Sequence, residues 1–279
     1  MWTRAELKTK AKLQMKDRYW NYLGISLLPA LATYVMNIPI LIITQILSML
    51  GMMGGMFGED GLVSFFESME EMNPESMEDF FNSFGPAEME GLFKSFLAPY
   101  IFTVVASLLV AILVSYPLMV GIVRWFIRAR ETANPRTNLC FSPFKKGFYG
   151  PTTWSMLYYM FWKQFFMTVF FPVGIVKHYS YMMIPYILAD NPTIGARRAL
   201  RLSKDMTRGH KLDIFILELS FIGWYLLGFL ACCIGVVAVA PYVHATKAEL
   251  YDVLKRESVG RGFCTMEDLG YIAVPASDQ

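Results

Sequence analysis

Residues 152–189 read TTWSMLYYMFWKQFFMTVFFPVGIVKHYSYMMIPYILA, 38 residues with no carboxylate and only Lys163, Lys177 and His178 as basic groups. A transmembrane helix needs about 20 mostly apolar residues to cross the hydrocarbon. A run of this length is either one long broken helix or a tight hairpin of two short ones. The stretch 212–246, with 35 residues, poses the same choice. Charge decides it. Residues 1–18, 124–151 and 190–211 each hold six Lys/Arg and the segment from 247 holds four, which together account for 22 of the 25 basic residues. Cytoplasmic loops are enriched in Lys/Arg. A single crossing by each run would put block 190–211 outside, against three blocks inside, whereas two hairpins bring all four to the cytoplasmic face. The turns then fall near Phe171-Pro172-Val173-Gly174 and Cys232-Cys233-Ile234-Gly235.

Working outward, Trp20–Leu50 and Ser95–Val123 supply two more spans. Pro39 and the Met/Gly stretch Met49–Gly58 point to one tilted helix with a bent exit rather than two spans in the uncharged run Tyr19–Gly58. The expected fold is all-α, a polytopic transmembrane bundle of about six spans in three helical hairpins, with both termini cytoplasmic. Residues 1–257 form a single membrane domain, followed by a polar tail, 258–279. The inner exits Tyr116-Pro117, Ile184-Pro185-Tyr186 and Ala240-Pro241-Tyr242 look alike and hint at a threefold hairpin repeat, although proline is also simply tolerated in membrane helices.

Composition agrees. The chain is 55% hydrophobic, 15% aromatic and 17% charged, where soluble domains run about 45–50% apolar and about 25% charged. An ordinary soluble enzyme, a disordered chain and a disulfide-stapled secreted fold are all excluded. The basic residues lie beside apolar spans rather than along one soluble face, which argues against nucleic acid. The N-terminus is a charged helix-former with no small-residue cleavage site after the first apolar run, so no cleavable signal peptide is expected.

Residues 51–96 hold ten acidic groups and one base, Lys94. This reads as an acidic extracytoplasmic loop, broken by Pro74 and Gly85-Pro86 into short amphipathic helices rich in Met and Phe. Thioethers can hold Cu(I), but beyond Met49, Met52, Met53 and Met56 no methionine cluster repeats, and packing explains these side chains better. Cys140, Cys232, Cys233 and Cys264 lack metal-ligand spacing, and no metal or cofactor is expected.

Two segments read as interfacial helices. Thr3-Arg4-Ala5-Glu6 matches a capping box, with Leu7, Ala11 and Met15 on one face and Lys8, Lys12 and Lys16 beside it. Asn191-Pro192 reads as a cap and first helical position for a cytoplasmic amphipathic helix over 192–208. On it Arg197, Arg201, Lys204 and Arg208 share one side and Ala199, Leu202 and Met206 the other. Such helices attract anionic headgroups by roughly 1 kcal/mol per basic residue, or they set topology without choosing a lipid.

Charge inside a bilayer is costly, so an ionisable residue there is a functional candidate. The candidates are Lys163, Lys177, His178, Glu218 and His244. Lys163 lies roughly 16 Å along a helix from Thr152, and Glu218 roughly 10 Å from Lys211. A Lys163–Glu218 pair would neutralise both, fixing helix register or lining a polar cavity. Lys177 and His178 sit just past the outer turn, where snorkelling suffices, and His244 lies near the inner exit. Nucleophile elbows, phosphate loops and paired His ligands are absent, so no catalytic residue is assigned and the chain is expected not to be an enzyme.

The chain resembles the bacterial membrane-protein family catalogued as domain of unknown function nine-seven-five, typical of Firmicutes. The likeness rests on residues 1–8 (MWTRAELK), Tyr19-Trp20, residues 172–177 (PVGIVK), Tyr179-Ser180-Tyr181, residues 185–192 (PYILADNP), Ala199-Leu200, Gly209-His210-Lys211, residues 219–224 (LSFIGW), Pro241-Tyr242 and residues 245–251 (ATKAELY). The resemblance implies an integral membrane protein of Gram-positive type with no established activity. The hairpins are also similar, more weakly, to the membrane domain attached to some glycerophosphodiester phosphodiesterases; the catalytic module of those proteins has no counterpart here. The expected function is therefore non-enzymatic, a transporter-like or accessory plasma-membrane protein with a polar intramembrane cavity. The alternative is a scaffold that binds a partner, or anionic lipid, through its basic cytoplasmic face.

Overall fold

The computed structural model describes residues 2–56, 86–132, 135–230 and 234–270, and these are helical with turns and no strand. The centre of the acidic stretch (57–85), the Cys232-Cys233 turn and the tail beyond 270 lie outside the described residues. Both ends of the stretch 51–96 are helical. Helix α2 (Tyr19–Met56) runs past Pro39 without a break, and α3 (Pro86–Val110) opens at Pro86. Three helices are long and apolar enough to cross a membrane: Tyr19–Leu50, Leu97–Glu131 and Lys211–Leu230. Few residues of their apolar windows are buried within the protein: 0%, 6% and 22%. Exposed apolar surface this continuous calls for lipid around it.

The chain divides into two compact units. In the unit Ala32–Ala111, α2 and α3 pair antiparallel through polar side chains. Ser107 donates to Asn37 Oδ1 at 2.7 Å, and the Thr44 and Thr103 hydroxyls bond one another. Such bonds hold helices together where lipid offers no competing partner.

The other unit, Met1–Leu31 with Ile112–Gln279, holds the core. It comprises α1 (Arg4–Met15), α4 (Tyr116–Glu131), α5 (Tyr149–Val169), α6 (Phe171–Tyr181), α7 (Ile184–Asp190), α8 (Ala196–Met206), α9 (Lys211–Leu219), α10 (Ile222–Leu230) and α11 (Ile234–Gly260). Leu118, Ile122 and Phe126 of α4, Met156 of α5, Ile184, Ile187 and Leu188 of α7, Leu202 of α8 and Tyr251 and Leu254 of α11 are almost fully buried. A 3-10 segment, Thr137–Phe144, lies so close on α4 that a Cβ on Gly121 would come 1.8 Å from Cys140 O.

Two sharp reversals shape this unit. Phe170 leaves helical geometry (φ −134°, ψ 73°), Pro172 opens α6, and α5 and α6 pack on each other. Gly174 makes that approach possible: a Cβ there would lie 2.7 Å from Met167 Cα and Phe166 O. Gly228 of α10 and Gly235 of α11 meet in the same way, an added Cβ on either coming 2.6 Å from the other's backbone. Helix α6 has 11 residues, about 16 Å of axis, roughly half the hydrocarbon thickness.

The three proline-marked exits are each stitched by a hydroxyl. Pro117 has no N–H for Leu113 O, and the carbonyl instead accepts from the Tyr149 hydroxyl at 2.8 Å, beside a π-helical turn, Ala111–Ser115. Near Pro241, the Tyr19 hydroxyl donates to Ala238 O at 2.7 Å. At the α6–α7 break before Pro185, Ser203 donates to Ser180 O at 2.8 Å and accepts from Met183 N at 3.3 Å. Proline frees backbone groups, and neighbouring helices re-satisfy them.

The two amphipathic segments need correction. The basic helix begins at Ala196, not at 192, because Asn191 forms an Asx turn (Thr193 N to Asn191 Oδ1, 3.1 Å) and Gly195 takes φ +79°. It also ends at Met206, which leaves Arg208 in the following turn; Arg197, Arg201, Lys204 and Arg208 are exposed, and Ala199, Leu202 and Met206 are buried, as expected. The buried side packs on α5, α6, α7 and α11 rather than on lipid. Likewise Leu7, Ala11 and Met15 of α1 pack on α11. The apolar faces are taken up by protein, so only the basic faces remain for a membrane. Half of the N-terminal capping box forms: Thr3 Oγ1 accepts from Glu6 N at 3.3 Å, while the Glu6 carboxylate turns to Lys10 at 2.7 Å.

Candidate functional site

Lys163 from α5, Lys177 and His178 from α6, and Glu218 from α9 are brought into one neighbourhood where α6 packs on α5 and on α9. The expected Lys163–Glu218 pair is corrected. Glu218 Oε1 takes Lys247 Nζ of α11 at 2.6 Å, and its other oxygen lies 4.0 Å from His178 Nε2. Lys247 belongs by sequence to the C-terminal basic block, but α11 carries it back to α9. Both partners of this pair are about a quarter exposed.

Lys163 stands apart from the ion pair. Its ammonium lies 5.8 Å from the centre of the Tyr159 ring, within electrostatic reach of Glu218, Lys247 and His178. Among the described residues no carboxylate is within ion-pair distance of it. Lys177 is half-buried. It sits over Phe166 across the reversal, 5.1 Å from the ring centre, and donates to the Tyr181 hydroxyl at 3.4 Å. His244 packs on the Phe126 ring at 5.3 Å, one helical turn before Lys247 on α11 and within its electrostatic reach.

Tyrosines surround the carboxylate. Tyr179 hydrogen-bonds Glu218, and Tyr159, Tyr186 and Tyr225 lie within its electrostatic reach. Glu218 is thus bonded by one lysine, with a histidine and the unpaired Lys163 within electrostatic reach. Such a cluster can hold an anion, and the rings close it against the apolar surroundings.

A second set of charges, invisible to spacing arguments, radiates from α11. Arg130 of α4 bonds Glu249 at 2.8 Å and Asp252 at 2.7 Å, with Arg130 and Glu249 side chains 12% and 6% exposed. Gln14 of α1 donates to Glu249. Lys255 and the Tyr251 hydroxyl both bond Asp190 Oδ2, at 2.6 and 2.9 Å. These pairs are fully used between helices and lock them. The partners are far apart in sequence, and the sole local signal was that α11 alternates acids and bases.

Beyond α11, Asp268 receives Arg198 Nε and an Nη at 3.0 and 2.6 Å. The Arg198 bonds hold its carboxyl well below the usual range, at about 2. Cys140 and Cys264 are buried free thiols, and burial pushes both up to about 11, as suits small hydrophobes rather than nucleophiles. Among the described residues no group of His, Cys, Asp and Glu could hold a metal ion.

No curated protein and no solved structure matches this chain. The family model described as Protein of unknown function (DUF975) matches residues 1–258, nearly the full length, and the chain belongs to that family.

Proposed function

We propose that the chain is a non-enzymatic, multi-pass plasma-membrane protein, transporter-like or accessory in role, whose polar intramembrane site engages an anionic group through Lys163. The observation that carries this is the uneven pairing: Glu218 is already taken by Lys247, while Lys163 has an aromatic ring and no carboxylate. An ammonium at membrane depth is tolerated when it is paired or serves a pathway. A ligand carboxylate or phosphate would complete the set. In this reading three hairpins enter from one face, and both termini and all four basic blocks are cytoplasmic. In support, those blocks lie on α1, on α4 and the 3-10 segment beside it, on α8 and on α11, which pack into one unit.

The test is native mass spectrometry of the purified chain in several detergents. The wild type is expected to carry an anionic small molecule or lipid that Lys163→Met loses while melting at the wild-type temperature. An empty wild type, or equal retention by Lys163→Met, would overturn the assignment.

A second reading has its own support. The exposed row Arg197, Arg201 and Lys204, continued by Arg208 in the turn just after it, stands on a helix whose other face is held by protein, a basic platform for an acidic partner or leaflet. Loss of a co-purifying acidic partner in a charge-neutralised row, with ligand retention at Lys163 unchanged, would favour it.

A further inference from the structure

Helix α1 presents an edge that neither its packing nor the Glu218 cluster uses. Thr9, Lys12, Leu13, Met15, Lys16 and Tyr19 line a shallow, open groove of about 440 Å³ between the second half of α1 and the start of α2. We infer that this groove binds the phosphate of an anionic phospholipid between Lys12 and Lys16, independently of the Lys163 site.

Four observations converge. Lys12 and Lys16 are one helical turn apart, exposed, and on the same side. Lys12 and Lys16 stand at the C-terminal end of α1, where the helix dipole favours cations, and Lys12 O, Leu13 O and Met15 O there already accept from Lys16 N and Arg18 N. Aromatic rings flank Lys12. Lys12 Nζ lies 5.7 Å from the Trp224 ring and 5.8 Å from Tyr242, while Tyr19 is pinned by its hydroxyl to Ala238 O. Tyr and Trp gather at the headgroup level of membrane proteins. Finally, apolar surface continues from the groove: Leu13 is 65% exposed and Trp20 79%, and the exposed Leu226 and Leu227 follow Trp224 along α10. A soluble anion has no use for that surface, but an acyl chain does. The neighbouring Lys8 is committed elsewhere, donating to Ser220 O at 3.3 Å over the Phe221 ring.

The experiment is native mass spectrometry of the full chain in neutral detergent with equimolar phosphatidylglycerol and phosphatidylcholine. The wild type is expected to retain one phosphatidylglycerol in preference to phosphatidylcholine. Lys12→Gln with Lys16→Gln is expected to weaken retention about thirtyfold, roughly fivefold per lysine. Lys145→Gln with Lys146→Gln, an equal charge loss at exposed positions away from the groove, is expected to leave it unchanged. Equal retention of the two lipids by the wild type would overturn the inference whether or not the variants fold. Equal losses in both double variants would reduce it to general charge attraction and overturn it too. Complete displacement by millimolar glycerol 3-phosphate would show a soluble phosphate site in place of a lipid site.

Discussion

Lys247 is the residue on which the charge balance around Glu218 turns. Breaking one member of a buried ion pair costs about 3–5 kcal/mol, because the survivor stays buried without its counter-charge, whereas replacing both with apolar groups is near neutral. At about a quarter exposure the cost falls between the exposed and the buried case, so Lys247→Met and Glu218→Gln are each expected to lower stability by about 1–2 kcal/mol, and Lys247→Met with Glu218→Leu to recover most of it. Thermal melts in detergent, arranged as a double-mutant cycle, read the coupling; additive losses would mean that the 2.6 Å contact does no stabilising. Lys163→Met, with no carboxylate to abandon, is expected to melt like the wild type. At the opposite pole, Asp268 gives an acid signature. Its folded carboxyl, held at about 2 chiefly by Arg198, lies below the ordinary aspartate value of about 3.9. The folded value being the lower, the contact stabilises fully above about pH 4 and is lost as pH falls towards 2. Melting temperature is expected to fall more steeply between pH 4 and 2 in the wild type than in Asp268→Asn, and equal slopes would exclude the contact from stability.

At the scale of the helix, the decisive contacts are made by glycines. A Cβ on Gly174 would meet only backbone, Met167 Cα and Phe166 O, both at 2.7 Å, so no flexible side chain can yield. Gly174→Val is expected to destabilise by about 3 kcal/mol or to splay α6 from α5. Gly223→Ala, with nothing within 4 Å of the new atom, is expected to be neutral or slightly stabilising, as in any helix interior. Melts of the two variants side by side check this, and equal losses would mean that the close approach is not what matters at Gly174. Much at this scale was legible in advance. The Phe171-Pro172-Val173-Gly174 signal fell within a residue of the break at Phe170, and the charged and apolar faces of α8 were assigned residue by residue. Local chemistry writes such features into consecutive residues. Two things were not legible. The start of α8 moved to Ala196 because an Asx turn at Asn191 competed with the cap. The partner of Glu218 and the Arg130–Glu249 lock depend on which helices come to lie together, information that no single segment carries.

Across the whole molecule, length is set against charge. In the proposed topology the four basic blocks make the hairpins open towards one face, yet the reversing pairs differ in reach. Helix α2 has 38 residues, about 57 Å of axis and ample for a crossing. Beyond the last buried residue of α5, Tyr159, only ten residues remain before the reversal at Phe170, about 15 Å. Half of a 30 Å hydrocarbon layer is the depth this hairpin can reach from a base held at the headgroups. Phe171, 62% exposed at the tip, then points into acyl chains. In a chain with its four cysteines replaced, Arg201→Cys is expected to react with a membrane-impermeant maleimide from the cytoplasmic side alone, and Phe171→Cys from neither side until detergent is added. Labelling of Phe171→Cys from the outer face would mean that the hairpin crosses completely, with the base sunk about 15 Å deeper than its charged surface allows. Labelling of Arg201→Cys from outside would instead reverse the α8 end of the molecule, and with it the proposal that all four basic blocks share the inner leaflet.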